Sequence, residues 1–245
     1  MGAALSIVRL DLRAIRRDRV ALATVLLSVL GTALVTGLGA FQDRLPGWAD
    51  RFPLLVAVSL LGGPAGVGFL FGLLMIEEAD TGVRDALAVT PVPVRGFVVV
   101  RTAVATLWMV AWPLASVYLM NATWRVLDLG LVHWLTLLIP LALFTPSLAL
   151  AIPALANDKV GALAVFKVLA FVSLLPLASF VIPADAGYRF AFLLSPTGWT
   201  VEAYRALLAE RFAAALLWSL GAMGYALSLL VIVVNRFERK VRAAW

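Results

Sequence analysis

The densest group of side chains that could do chemistry in this sequence is an acidic run. Glu77, Glu78 and Asp80 stand together, with Arg84 and Asp85 just beyond. Carboxylates this close can hold a metal, trade protons, or pair with cations on a neighbouring surface. Metal holding needs more ligands than the chain offers. It has one histidine, His133, and no cysteine, so a His or Cys cluster is excluded and an Asp/Glu-only site has little support. Nucleophilic catalysis is no better served. There is no Gly-x-Ser-x-Gly and no His-Glu-x-x-His, and Ser195 and His133 read as separate interfacial residues. The glycine-rich stretch from Gly62 to Gly72 lacks the lysine of a phosphate-binding loop and lies in an apolar run, so it reads as helix packing. Ion-driven transporters use ionisable groups near the bilayer midplane. Here the acidic residues avoid the long apolar stretches, and the deepest cation is Lys167, read as snorkelling to the headgroups. Pairing with a partner surface, or plain solvation at the membrane face, is what is left to the acidic run.

The elements that carry these residues are overwhelmingly apolar. Of 245 residues, 63% are hydrophobic and 14% are charged, against about 25% charged in a soluble domain. A chain of this size cannot bury so much apolar surface on itself, and lipid must cover the excess. The formal net charge of +6 comes largely from Lys and Arg beside apolar stretches. That placement fits anionic headgroups rather than nucleic acid. The expected fold is an all-α polytopic membrane protein forming one transmembrane domain over residues 1–245. Six spans are expected at about 20–39, 52–76, 96–120, 131–153, 160–182 and 212–234; twenty residues of helix rise roughly 30 Å, the thickness of the hydrocarbon layer. In the second span Gly62 and Gly66, and Gly68 and Gly72, form small-xxx-small pairs, and Pro64 is expected to bend the helix. Arg101 should snorkel from the third span, and Pro140, Pro146 and Pro153 should interrupt or end the fourth. Gly62, Gly63, Gly66, Trp108, Trp112, Phe144 and Met223 are candidates for helix packing or for a substrate path, since one sequence does not fix which way they face.

Three further segments are amphipathic or broken. Residues 1–19, with Arg13, Arg16 and Arg17, read either as a helix along the membrane surface or as an extension of the first span. In residues 77–90, Ala79, Val83, Ala86, Leu87 and Thr90 recur at helical spacing, and Pro91 would stop that helix. A docking helix and an ordinary loop helix both fit. Residues 183–211 are too broken for a span. Phe190 to Leu194 could dip into the membrane, Pro196, Gly198 and Trp199 suggest a turn, and a short helix follows. This predicts a partly re-entrant external hairpin over 186–208, tolerated only where protein covers its backbone. With both termini inside, thirteen Lys and Arg fall in inner segments and six in outer ones, which favours an N-in, C-in topology.

Together these features resemble the permease subunit of type-2 ABC exporters. The most specific stretch is Glu77-Glu78-Ala79-Asp80-Thr81-Gly82-Val83-Arg84-Asp85-Ala86-Leu87-Ala88-Val89-Thr90-Pro91. That family commonly has a glutamate, a glycine four or five residues later, an apolar helical turn and Thr-Pro. The segment around Ser195-Pro196 before the last span is also similar. Within the family the chain resembles bacterial drug-export permeases for fluoroquinolones. The resemblance implies an elbow helix over 1–17 and a coupling helix over 77–90. Glu77, Glu78, Asp80, Gly82, Arg84, Leu87, Thr90 and Pro91 would meet a separate ATPase subunit there. It further implies a second permease subunit, as homodimer or heterodimer, and an outer gate that includes Pro196 and Trp199. The chain would be a transport subunit of the bacterial inner membrane with no cofactor of its own, ATP and magnesium binding to the partner. Glu78→Lys would then uncouple ATP hydrolysis from export without removing the protein from the membrane. The residues alone leave two other functions open: a non-catalytic scaffold or immunity-type protein, and a lipid-modifying membrane enzyme.

Overall fold

The computed structural model describes residues 19–39, 51–81, 94–124, 129–182 and 186–243, together with Phe41, Arg44 and Gly47. The expected elbow, with Arg13, Arg16 and Arg17, lies outside these residues. So does the expected coupling segment from Gly82 onward, with Arg84, Leu87, Thr90 and Pro91.

Among the described residues the secondary structure is helical throughout. In chain order it comprises α1 (Arg19–Gly39), α2 (Phe52–Asp80), α3 (Val94–Trp124), α4 (Leu131–Leu155) and α5 (Lys159–Leu174). Two 3₁₀ segments follow, Leu175–Phe180 and Gly187–Leu194, then α6 (Pro196–Leu208) and α7 (Phe212–Ala243). Among the described residues five stretches are long and apolar enough to cross a membrane: Phe52–Glu78, Val99–Thr123, Leu131–Leu155, Lys159–Phe180 and Phe212–Lys240. In α1 the apolar stretch among the described residues is Val29–Gly39.

The centre of the bundle is α4. It packs against α2, α3, α6 and α7, and 83% of its apolar window is buried, against 17% for α5 and for α7. Those two helices, with α1, leave their apolar faces outward, as lipid-facing helices do. Close contact of α2 with α4 depends on glycine. A Cβ at Gly68 would lie 2.5 Å from Leu148 Cβ, and one at Gly72 would lie 2.8 Å from Ile152 Cβ. The second small-xxx-small pair is thus the α2–α4 contact. At Gly62 a Cβ would meet nothing within 4 Å.

Prolines do not break α4. Pro140, Pro146 and Pro153 all lie inside one continuous helix, contrary to the sequence expectation. A proline lacks the N–H that would bond the carbonyl four residues back. Pro140 frees the Thr136 carbonyl in this way, and Ser219 Oγ of α7 donates to it at 2.6 Å. Neighbouring protein supplies the missing donor, and the helix is continuous through the proline. In the fifth span the same chemistry has a different outcome. Pro176 frees the Val172 carbonyl, and the chain tightens into 3₁₀ geometry from Leu175, so regular α5 ends well before residue 182. Lys167 is exposed on α5, as snorkelling requires.

Candidate functional site

Antiparallel packing collects polar groups at the two ends of the bundle. At one end lie the last turn of α2, the first turns of α3 and α5, the end of α4 and the end of α7. The expectation that Glu77, Glu78 and Asp80 open a new helix is corrected here. They form the last turn of α2, continuous with the span, and the Thr81 N–H donates to the Glu77 carbonyl at 3.0 Å. Acidic groups at a helix C-terminus face an unfavourable dipole, and cations from other helices compensate it. Arg101 of α3 grips Glu78 with both arms, Nη1 to Oε2 at 2.5 Å and Nη2 to Oε1 at 2.7 Å. Lys159 of α5 sits 3.3 Å from Glu77 Oε1.

These two pairs differ in kind. The Arg101 side chain is 2% exposed and Glu78 is 19% exposed, whereas Lys159 and Glu77 are 49% and 34% exposed. Arg101 therefore does not snorkel to the headgroups, as its sequence position suggested. Its guanidinium turns inward because a carboxylate of matching fork geometry waits one helix away, and a bidentate pair is the strong form of this bond. The outcome for Glu78 is equally plain. Its oxygens are engaged inside the bundle, while Glu77 keeps an accessible face. Sequence reasoning missed this partnership. The available signal was two opposite charges at facing ends of consecutive antiparallel helices.

Another cation was missed at the same end. Lys240 Nζ of α7 donates to the Pro153 carbonyl at 2.8 Å and to the Ala156 carbonyl at 2.6 Å. These belong to the last turn of α4, where carbonyls lack helical partners and a positive charge is favoured.

At the opposite end the expected external hairpin is built from the second 3₁₀ segment and α6. Its turn is held by hydroxyls. Ser195 Oγ donates at 2.9 Å to the Val172 carbonyl that Pro176 leaves free. Thr197 Oγ1 donates at 2.6 Å to the Ser173 carbonyl. Gly198 is required for this turn, because a Cβ there would sit 2.0 Å from the Phe192 carbonyl oxygen. Pro196 opens α6, where its missing N–H costs nothing. Trp199 Nε1 donates to the Leu193 carbonyl at 2.9 Å, and its ring meets Trp218 of α7 edge-on. Arg189 pairs with Glu202 at 2.8 Å within the hairpin. Arg205 Nη1 donates to the Ser179 carbonyl, and its guanidinium lies 5.6 Å from the Phe180 ring centre. Burial, with Arg189 beside it, lowers the pKa of Arg205, and Glu202 opposes that shift.

The remaining candidates divide by where they face. Phe144 is buried against Leu148 and Ala226, so it packs α4 on α7. A Cβ at Gly63 would lie 3.0 Å from the tip of Met109, which places Gly63 at the α2–α3 seam. Trp108 faces outward and stacks on Trp112 with ring centres 6.2 Å apart. Gly62, Gly66 and Met223 are half-buried. Among the described residues there is no group of three or more His, Cys, Asp or Glu able to hold a metal.

Comparison with known proteins agrees with this architecture. A family profile described as "Fluoroquinolones export permease protein Rv2686c-like" matches residues 11–234. Two curated relatives from Mycobacterium tuberculosis are similar over nearly their full length. They are the fluoroquinolones export permease proteins MT2760, from strain CDC 1551 / Oshkosh, and Rv2686c, from strain ATCC 25618 / H37Rv. Each is 29% identical over 250 aligned positions, covering 95% of this chain and 92% of the relative. With that match laid over several membrane-length helices, the chain is a multi-pass membrane protein and belongs to the Rv2686c-like family of export permeases.

Proposed function

We propose that this chain is the transmembrane subunit of an ATP-driven exporter that moves hydrophobic small molecules, fluoroquinolone-type drugs among them, out of the cell. The family match over residues 11–234 carries this reading. The geometry supports it at one point. The polar segment after α2 leaves and rejoins the bundle through two helices clamped together by Glu78 and Arg101. A displacement of that segment by a partner would therefore move α2 and α3 as a unit.

In this reading α1 is a sixth span and both termini lie in the cytosol, with the chain in the bacterial inner membrane. Glu77 and Asp80 begin the surface that a separate ATPase subunit receives, continued by Gly82, Arg84, Leu87, Thr90 and Pro91. ATP and magnesium bind to that subunit. Two permease subunits enclose the path, and the hairpin around Pro196 and Trp199 closes its outer side.

The test is co-expression with a Walker-motif ATPase encoded beside this chain. The two should copurify, and inside-out vesicles holding both should accumulate a fluorescent fluoroquinolone in an ATP-dependent, vanadate-sensitive way. Accumulation abolished by a protonophore but untouched by vanadate would overturn ATP coupling. Topology has its own check, since the chain has no cysteine. Asp80→Cys should react with an impermeant maleimide in inside-out vesicles and not in intact cells.

A further inference from the structure

Beside the end of α4, α7 carries a groove of about 680 Å³ lined by Ala154, Ile232, Asn235, Arg236, Arg239 and Lys240. That volume is within the range of small-molecule sites, about 300–1,000 Å³. The five α7 residues form one stripe, because positions three, four, seven and eight apart share a helix face. Along the stripe the chemistry changes in one direction. Val231 and Ile232 are exposed apolar side chains near the end of the uncharged run 212–235. One turn later come Asn235 and Arg236, and another turn brings Arg239 and Lys240. Glu238 falls to the side of the stripe. Lys240 is held by the α4 carbonyls of Pro153 and Ala156, so its charge is fixed in place, while Arg236 and Arg239 are exposed. Phe237 is buried against Met75, Leu150 and Ala154 and anchors this turn of α7 to the bundle.

We infer that this groove is a binding site for the headgroup of an anionic phospholipid. Its three cations lie where α7 passes from hydrocarbon to headgroup depth, and a basic pocket between membrane helices at that depth selects a phosphate-bearing lipid. The exposed apolar edge at Val231 and Ile232 continues the site toward the acyl chains, which a free anion would not use. Basic segments of the chain itself, such as the arginine-rich stretch 9–19, carry the wrong sign to occupy it. The inference needs α7 to span the membrane and does not depend on ATP coupling.

The test uses the full chain in detergent, with native mass spectrometry reading retained lipid after addition of phosphatidylglycerol or phosphatidylcholine. Wild type should retain phosphatidylglycerol in clear preference. Arg236→Gln with Arg239→Gln should weaken that retention about 30-fold, which corresponds to about 1 kcal/mol per arginine. Lys240 is left intact in this variant so that the α4 contact persists. Arg236→Lys with Arg239→Lys should keep the preference, and so should Arg44→Gln with Arg211→Gln at the far end. Equal retention of the two lipids, or unchanged retention in the Gln variant, would overturn the site. So would full displacement of phosphatidylglycerol by millimolar inorganic phosphate, which would mark a free-anion site.

Discussion

The Glu78–Arg101 pair makes the sharpest quantitative prediction. Arg101 is 2% exposed and both of its terminal nitrogens are committed to one carboxylate, at 2.5 and 2.7 Å. Removing one member of a buried pair leaves an uncompensated charge and costs about 3–5 kcal/mol, whereas replacing both by apolar residues of similar volume is close to neutral. Glu78→Met and Arg101→Met should therefore each destabilise by about 3 kcal/mol. The double variant Glu78→Met with Arg101→Met should lose less than either. The measurement is reversible unfolding of the four proteins in mixed micelles, analysed as a double-mutant cycle. Additive losses would refute the reasoning. So would single variants within about 0.5 kcal/mol of wild type, the result expected of an arginine that snorkels. One consequence changes the coupling experiment itself. Glu78→Lys would put a second cation against Arg101, and it should fail by misfolding before any uncoupling can be seen.

Glu77 is the better probe. Its contact with Lys159 is partly exposed and worth at most about 1 kcal/mol, so Glu77→Lys should keep the fold and lower ATP-dependent export, read in vesicles against thermal stability. In α2, Gly68→Ala should cost about 1–3 kcal/mol, because its Cβ would meet Leu148 Cβ at 2.5 Å. Gly62→Ala, with open space around it, should be neutral or raise stability by up to about 1 kcal/mol. At the end of α6, Glu210 takes a positive φ of 57°. The Arg211 N–H bonds to the Ala206 carbonyl and the Glu210 N–H to the Leu207 carbonyl, a turn that favours glycine. Glu210→Gly should therefore stabilise by about 1 kcal/mol in the same unfolding assay.

What the sequence made legible follows from which physical signals are local. Apolar length is local, so the membrane-length helices fall where uncharged runs predict them. Turn chemistry is local too, and Pro196 with Gly198 marked the hairpin before its contacts were known. The fate of a proline is not local. Pro140 and Pro176 look alike in sequence. One lies inside a continuous helix with Ser219 of α7 donating to its freed carbonyl; at the other the chain turns into a 3₁₀ segment with Ser195 of the hairpin donating in the same way. The direction of a long cation is not local either. Arg101 and Lys240 both lie near helix ends and both suggest headgroup contact. The first instead finds a carboxylate on α2 and the second the carbonyl end of α4. For the same reason Phe144 and Gly63 could not be assigned to packing until α7 and α3 lay beside them.

The two ends of the bundle are held by forces of different kinds. At the Glu78 end the clamp is a buried ion pair whose rupture strands a charge, and Lys240 adds a charged cap on α4. The hairpin is tied to the bundle chiefly by apolar burial: Val201, Ala203, Tyr204, Ala206 and Leu207 of α6 share one buried core with Phe52 and Val56 of α2 and Leu137 and Leu138 of α4. Hydroxyl-to-carbonyl bonds from Ser195 and Thr197 to α5 and from Tyr225 of α7 to the Leu194 carbonyl add to it. Each such bond contributes a net of about 1 kcal/mol, against about 1.5–3 kcal/mol for burying one large apolar side chain. The ion pair Arg189–Glu202 lies within the hairpin and stiffens it. Under the proposed transport reading, a push delivered at the Glu78 end is carried through α2 and α3 without breaking their clamp. Lifting the hairpin at the far end would expose the buried face of α6, so α6 moves with the core it packs into.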